Sequence, residues 1–222
     1  MIVRTKGLLF DMDGVLVSSL GSVERSWQTW AERHGLDVRE TIKTAHGMRA
    51  IETVRTLKPD ADHEAELKVI EDLEVEDNHG LEVLEGVASI LQLLPQRYWT
   101  IVTSATERLA RSRLAFATIP VPKDIITADM VANGKPHPEP YLKGAKILGL
   151  APADCIVIED SPSGSRAGHA AGCKVLATTF SHRIDQLQAA DWIVESLGNV
   201  EITILPDDAG LELEFMPLKN KT

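Results

Sequence analysis

Apolar residues along the chain follow two rhythms. In the first, short unbroken runs recur: GLLFD (7–11), WTIVTSA (99–105), DIITA (124–128), CIVIED (155–160), KVLATTF (174–180) and the weaker DWIVES (191–196). Runs rich in Val, Ile and Leu at this length predict strands buried on both faces, as in a parallel sheet. Helix-length segments at 86–95, 106–117, 137–149 and 162–171 separate most of them. Strand and helix in alternation predict an α/β fold with a doubly wound parallel sheet.

The second rhythm occupies the interval from about Ser18 to Leu84, too long for one crossover. Val23, Trp27, Trp30 and Ala31 recur at helical spacing until Gly35. The segment RAIETVRTLKP (49–59) stops at Pro59. In the acidic stretch 62–80, Leu67, Ile70 and Leu73 form one apolar side. These features predict a small helical domain inserted after the first strand, with domain bounds of 18–84 for the insertion and 1–17 plus 85–222 for the sheet. The acids of 62–80 read as a solvated helix face, and Trp27 and Trp30 as core of the insertion. His34 and His79 read as surface residues. Near the end, EITILPDDAGLELEF (201–215) alternates on either side of PDDAG and predicts a β-hairpin at the sheet edge or beyond it.

Composition narrows the partners. The 222 residues are 44% apolar and 25% charged, with a formal net charge of −10. That field opposes nucleic-acid backbones and anionic membranes, but a local cationic site can still take a small anion. No apolar run is long enough for a bilayer, and Asp11 and Asp13 interrupt the first one before it could serve as a signal. A cytoplasmic protein without anchor or obligate protein partner is expected. Cys155 and Cys173, in apolar surroundings, are expected as buried free thiols.

In an open α/β sheet, ligands bind beyond the carboxyl ends of the strands. Those ends bring Asp11 and Asp13, Thr103 and Ser104, Lys135 within NGKPHPEPY, and Glu159 and Asp160. Clustered carboxylates repel one another unless a cation lies among them. Oxygen donors without imidazole or thiolate favour a hard ion, most commonly Mg²⁺. The Lys135 ammonium and the Ser104 hydroxyl suit a phosphoryl group. One carboxylate of the DMDG pair can attack phosphorus while the other moves the proton, and Gly14 lets the chain turn. A calcium loop around DMDG would lack its remaining ligands.

With DMDGVL, VTS, GKPHPEPY and VIEDSPSG in this order, the sequence resembles the haloacid dehalogenase-like superfamily of phosphotransferases over essentially its whole length. The resemblance implies a Rossmann-like core with a helical cap. It implies Asp11 as nucleophile, Asp13 as general acid/base, and Ser104, Ala105 and Lys135 as phosphate ligands. Mg²⁺ would be held by Asp11, Asp160 and the backbone carbonyl of Asp13, with Glu159 a neighbour of the metal. In the cap, AHGMR (45–49) offers His46, Gly47 and Arg49 to the substrate. Dehalogenases of the superfamily lack the second aspartate, so Asp13 favours phosphoryl transfer. Many relatives with this cap type carry Asp where Ser18 stands. The nearest subgroup resembles the 2-deoxyglucose-6-phosphate and glycerol-phosphate phosphatases. It implies an Mg²⁺-dependent phosphatase of small phosphorylated sugars or polyols, acting through an aspartyl phosphate. The alternatives are a β-phosphoglucomutase-like phosphosugar mutase and a non-enzymatic regulator that keeps the fold.

Overall fold

The computed structural model describes residues 1–46 and 48–218. The chain begins with β1 (Ile2–Thr5), β2 (Gly7–Phe10) and β3 (Val17–Ser18). Four helices follow: α1 (Leu20–His34), α2 (Val38–Ala45), α3 (Ala50–Leu57) and α4 (His63–Glu76). After β4 (Glu82–Val83) come α5 (Val87–Leu93), β5 (Trp99–Ile101), α6 (Glu107–Phe116), α7 (Glu139–Ile147), β6 (Cys155–Glu159), α8 (Pro162–Ala170), β7 (Lys174–Thr178), β8 (Trp192–Val194), β9 (Val200–Ile204) and β10 (Leu211–Phe215).

The buried runs assemble into one parallel sheet of order β5-β2-β6-β7-β8. Successive side chains of a strand point to opposite faces, so an all-apolar strand needs cover on both. Leu8 and Phe10 of β2 join Ile156 and Ile158 of β6 on one side, packed with α5 and α6. Leu9 and Val157 face the other side, against Tyr141 and Ala145 of α7 and Ala167 of α8. Helices on both faces make the sheet doubly wound, as the alternation predicts. Burying Leu8, Leu9 and Phe10 contributes about 1.5–3 kcal/mol each, which holds β2 inside the sheet between β5 and β6.

The hairpin forms: β9 and β10 pair antiparallel, with Leu211 opposite Ile204. It belongs to a separate sheet of order β1-β10-β9, and β1 has no counterpart in the sequence reading. Leu211, Leu213 and Phe215 pack into the core that holds Leu8 and Phe10. The segment 124–128 is not the strand that its apolar run predicts. Its pairing shrinks to one bridge, Ile126 with Val102, because the chain turns back at once. Ala128 N–H already donates to the Ala105 carbonyl. A single-residue edge gives another chain little to pair with.

The helices between β3 and β4 have their own core of Trp27, Trp30, Ala45, Val54 and Ile70. Trp27 and Trp30 meet edge to face at 5.4 Å. Trp30 Nε1–H donates to Glu66, which also pairs with His34, so His34 is half-buried rather than a surface residue. The chain enters and leaves this group through the short antiparallel pair β3–β4. Cys155 and Cys173 are unpaired and buried, and burial pushes both thiols up to about 12. Among the described residues, no helix is long and apolar enough to cross a membrane.

Candidate active site

β2 ends at Phe10, and the chain then turns tightly: Leu16 N–H donates to the Met12 carbonyl and Gly14 N–H to that of Val17. Gly14 holds a left-handed φ of +81°, and a β-carbon there would lie 1.9 Å from Asp160 Oδ2. The glycine of DMDG therefore serves two ends at once: it bends the chain and lets the Asp160 carboxylate approach the backbone. One carboxylate oxygen each from Asp11, Glu159 and Asp160 lies within 4.8 Å of the others.

Lys135 reaches into this cluster. Its Nζ lies 2.8 Å from Asp11 Oδ1 and 2.8 Å from Glu159 Oε1, and donates to the Val102 carbonyl at 3.0 Å. Burial disfavours its charge, but the Asp11 and Glu159 carboxylates outweigh burial and hold the ammonium above its ordinary range. Burial pushes Asp11 up to about 7, against the pull of Lys135. Asp160 is raised well above the usual carboxylate range by burial and then by the Glu159 and Asp11 charges. Ionised together, the three carboxylates would exceed the one ammonium by two charges, that of one divalent cation. Hard oxygen donors with this excess fit a hard divalent cation.

Glu159 differs from its neighbours. Its Oε1 accepts from Lys135 and from the Tyr141 hydroxyl; its Oε2 accepts from the N–H groups of Asp160 and Ser161 and from the Ser161 hydroxyl. Five donors exhaust a carboxylate's capacity of about four lone-pair sites. Glu159 therefore has no oxygen to spare for a metal held by Asp11 and Asp160. A β-carbon on Gly164 would lie 1.5 Å from Glu159 Oε1, so that glycine too makes room for a carboxylate.

Asp13 faces a different cation. Arg113 NH1 donates to Asp13 Oδ1 at 2.8 Å, while Arg113 NH2 donates to Glu74 Oε2 at 2.9 Å. The two aspartates of the pair therefore have separate partners. Ser104 and Ala105 line the same cavity, but Ala105 N–H donates to Thr103 Oγ1, which takes the backbone donor expected for phosphate. The cavity, about 430 Å³, lies between the strand ends and the helices α1 and α4.

The residues expected from AHGMR divide. Gly47 lies outside the described residues. His46 lines the cavity with its Nε2 buried and unpartnered among the described residues. His182 lines the same cavity, and burial pushes its imidazole down. Arg49 borders the cavity, but its guanidinium is taken: two hydrogen bonds reach Glu52 and two reach the carbonyls of Val131 and Ala132. It clasps the loop that carries Lys135, and Gly134 lets it pass, since a β-carbon there would lie 2.5 Å from Arg49 Nε.

Arg113, Glu74, Tyr141 and Ser161 escape the sequence reading. A signal existed for the first two. Arg113 follows Leu109 by four positions on the buried stripe of α6, and Glu74 follows Ile70 by four on α4. A charge on a buried stripe demands a partner.

Carboxylates, a hydroxyl and an ammonium gathered at the carboxyl edge of a doubly wound sheet define an α/β enzyme. The chain belongs to the haloacid dehalogenase-like hydrolase family, whose model matches residues 8–178. It is 41% identical over 210 residues to hexitol phosphatase A of Escherichia coli, covering 92% of this chain and 97% of that one. Glycerol-1-phosphate phosphohydrolase 2 of Saccharomyces cerevisiae is 31% identical over 215 residues, covering 90% and 86%. A solved hydrolase from Pseudomonas syringae shares the fold, with a TM-score of 0.77 at 23% identity over 87% of this chain and 94% of that one.

Proposed function

We propose that this hydrolase is a Mg²⁺-dependent phosphoric monoester hydrolase of small phosphorylated sugars or polyols, of the 2-deoxyglucose-6-phosphate or glycerol-phosphate type. The family and the named relatives support the class. One observation carries the mechanism: Asp11 pairs with Lys135 and Asp13 with Arg113, so two nearby carboxylates have different surroundings.

In this reading Asp11 attacks phosphorus. Its new O–P bond forms as the bond to the substrate alkoxide breaks, giving an aspartyl phosphate. Asp13 gives the alkoxide its proton. It then takes one from the water that attacks phosphorus and frees Asp11. Lys135 steadies Asp11 and lends positive charge to the phosphoryl oxygens, with the Ser104 hydroxyl as a further donor. Asp11, Asp160 and the Asp13 carbonyl would hold Mg²⁺, and Glu159 would position Lys135. When bound, the ion offsets charge on the phosphoryl group. Residues 1–17 and 85–222 form the catalytic core in this reading, and 18–84 a cap that excludes water. His46, with its unpartnered nitrogen, is the cap residue offered to substrate hydroxyls. The two free thiols fit a reducing cytoplasm.

A mutase would need a cap cation for a second phosphate, and Arg49 is already held by Glu52 and two carbonyls. The test is phosphate release from a panel of hexitol, hexose, deoxyhexose and glycerol phosphates, with Mg²⁺ or with chelator. We expect turnover on part of the panel that needs Mg²⁺ and vanishes in Asp11→Asn. Undiminished release by Asp11→Asn would overturn the nucleophile, and an isomerised product dependent on a bisphosphate primer would establish the mutase instead.

A further inference from the structure

Arg113 is a core arginine with a 3% exposed side chain that holds two carboxylates from different parts of the chain. Asp13 comes from the turn after β2, and Glu74 from α4 in the inserted helices. The Glu74 side chain is 7% exposed and that of Asp13 27%. A guanidinium is planar, so holding one carboxylate with NH1 and another with NH2 fixes the orientation of both. The contact to Asp13 uses Oδ1 alone, and Oδ2 has no partner among the described residues. α4 also meets α6, the helix of Arg113, where Glu71 of α4 accepts from Arg108 and from Thr106, the residue just before α6.

We propose that Arg113 is a positioning residue for proton transfer, and that Glu74 makes its position depend on α4. The inference rests on the reading of Asp13 as general acid/base. Arg113 grips Oδ1 and leaves Oδ2 to carry the proton to and from the reacting oxygen. Glu74 anchors the other arm of the fork. With α4 seated on α6, the fork is held at both ends and Asp13 is aimed. With α4 displaced, Arg113 loses one anchor and Asp13 its orientation. Water that reaches the site while the insertion is open therefore meets a misaimed base.

A change of leaving group separates this role from general stability. An alkyl phosphate that the wild type turns over needs a proton on its departing alkoxide; p-nitrophenyl phosphate does not, because nitrophenolate leaves unaided. The quantity to compare is kcat/KM, which reports the first transfer to Asp11. For Arg113→Met we expect a loss of roughly 10–100-fold on the alkyl ester and less than about 3-fold on the nitrophenyl ester. Glu74→Gln should show the same split at smaller size. Arg113→Lys keeps the charge without the fork and gives an intermediate loss; it also serves if Arg113→Met does not fold. Equal losses on both esters, or none, would overturn the proposal. Absence of phosphate release by the wild type from every alkyl phosphate tried and from the nitrophenyl ester would overturn the phosphatase reading itself, and this inference with it.

Discussion

Glu159 is fully buried, yet its charge is easily explained once its five donors are counted. Lys135, Tyr141, Asp160 and Ser161 surround it, and Lys135 holds its carboxyl below the usual range although burial opposes this. Replacing Glu159 by Gln removes one of the two negative partners of a buried ammonium and leaves Asp11 as the other. We expect a loss of about 1–3 kcal/mol in urea unfolding, the cost of buried donors losing their charged acceptor while Asp11 still pairs with Lys135. An unchanged unfolding midpoint would show that Lys135 does not need it. The pair Glu159–Asp160 was legible as an acidic strand end. The family resemblance implies different roles for the two, but the donors that hold Glu159 were not legible, because they include positions 135, 141 and 161, which only folding brings together. Arg49 teaches the same lesson: its place beside the site was readable, but its commitment to the Val131 and Ala132 carbonyls was not.

At the scale of elements, α4 carries a titrating group into the protein interior. Burial pushes Glu74 up to about 6 from an ordinary 4.5, against the pull of Arg113. A carboxyl raised on folding binds its proton more tightly in the native state. Its stabilising contribution is present below pH 4.5 and is lost as pH rises through about 6. The stability of the wild type should therefore fall relative to Glu74→Gln by about 2 kcal/mol between pH 4 and 7. Unfolding of both proteins across that range checks it, and a constant difference would refute it. The elements themselves were read unevenly. Continuous apolar runs marked β2, β5, β6 and β7 because burial on both faces leaves no polar gaps. By contrast, α2 has only eight residues and buries only Thr41 and Ala45, so no run of large apolar residues marks it. β1 exposes Ile2 and Arg4 and borrows its stability from β10.

Across the whole molecule, the net charge of −10 has its densest buried knot at Asp11, Glu159 and Asp160. A cation that binds the native state alone stabilises by mass action. At 100 times its dissociation constant the gain is about 2.7 kcal/mol. For a chain of this size we expect Mg²⁺ to raise the melting temperature by roughly 5–10 °C over a chelator control. Asp160→Asn should abolish that rise, and an undiminished rise in the variant would move the metal away from the cluster. The order β5-β2-β6-β7-β8 also sets a timetable. β2 is an interior strand and the first of its sheet to leave the ribosome, yet its two neighbours begin only at Trp99 and Cys155. At roughly 5–20 residues per second, its second partner follows about 7–30 s later. The helices between β3 and β4 fill part of that wait with contacts close in sequence. A nascent chain stalled before Cys155 would expose its most apolar strand to whatever chaperone or neighbour is at hand.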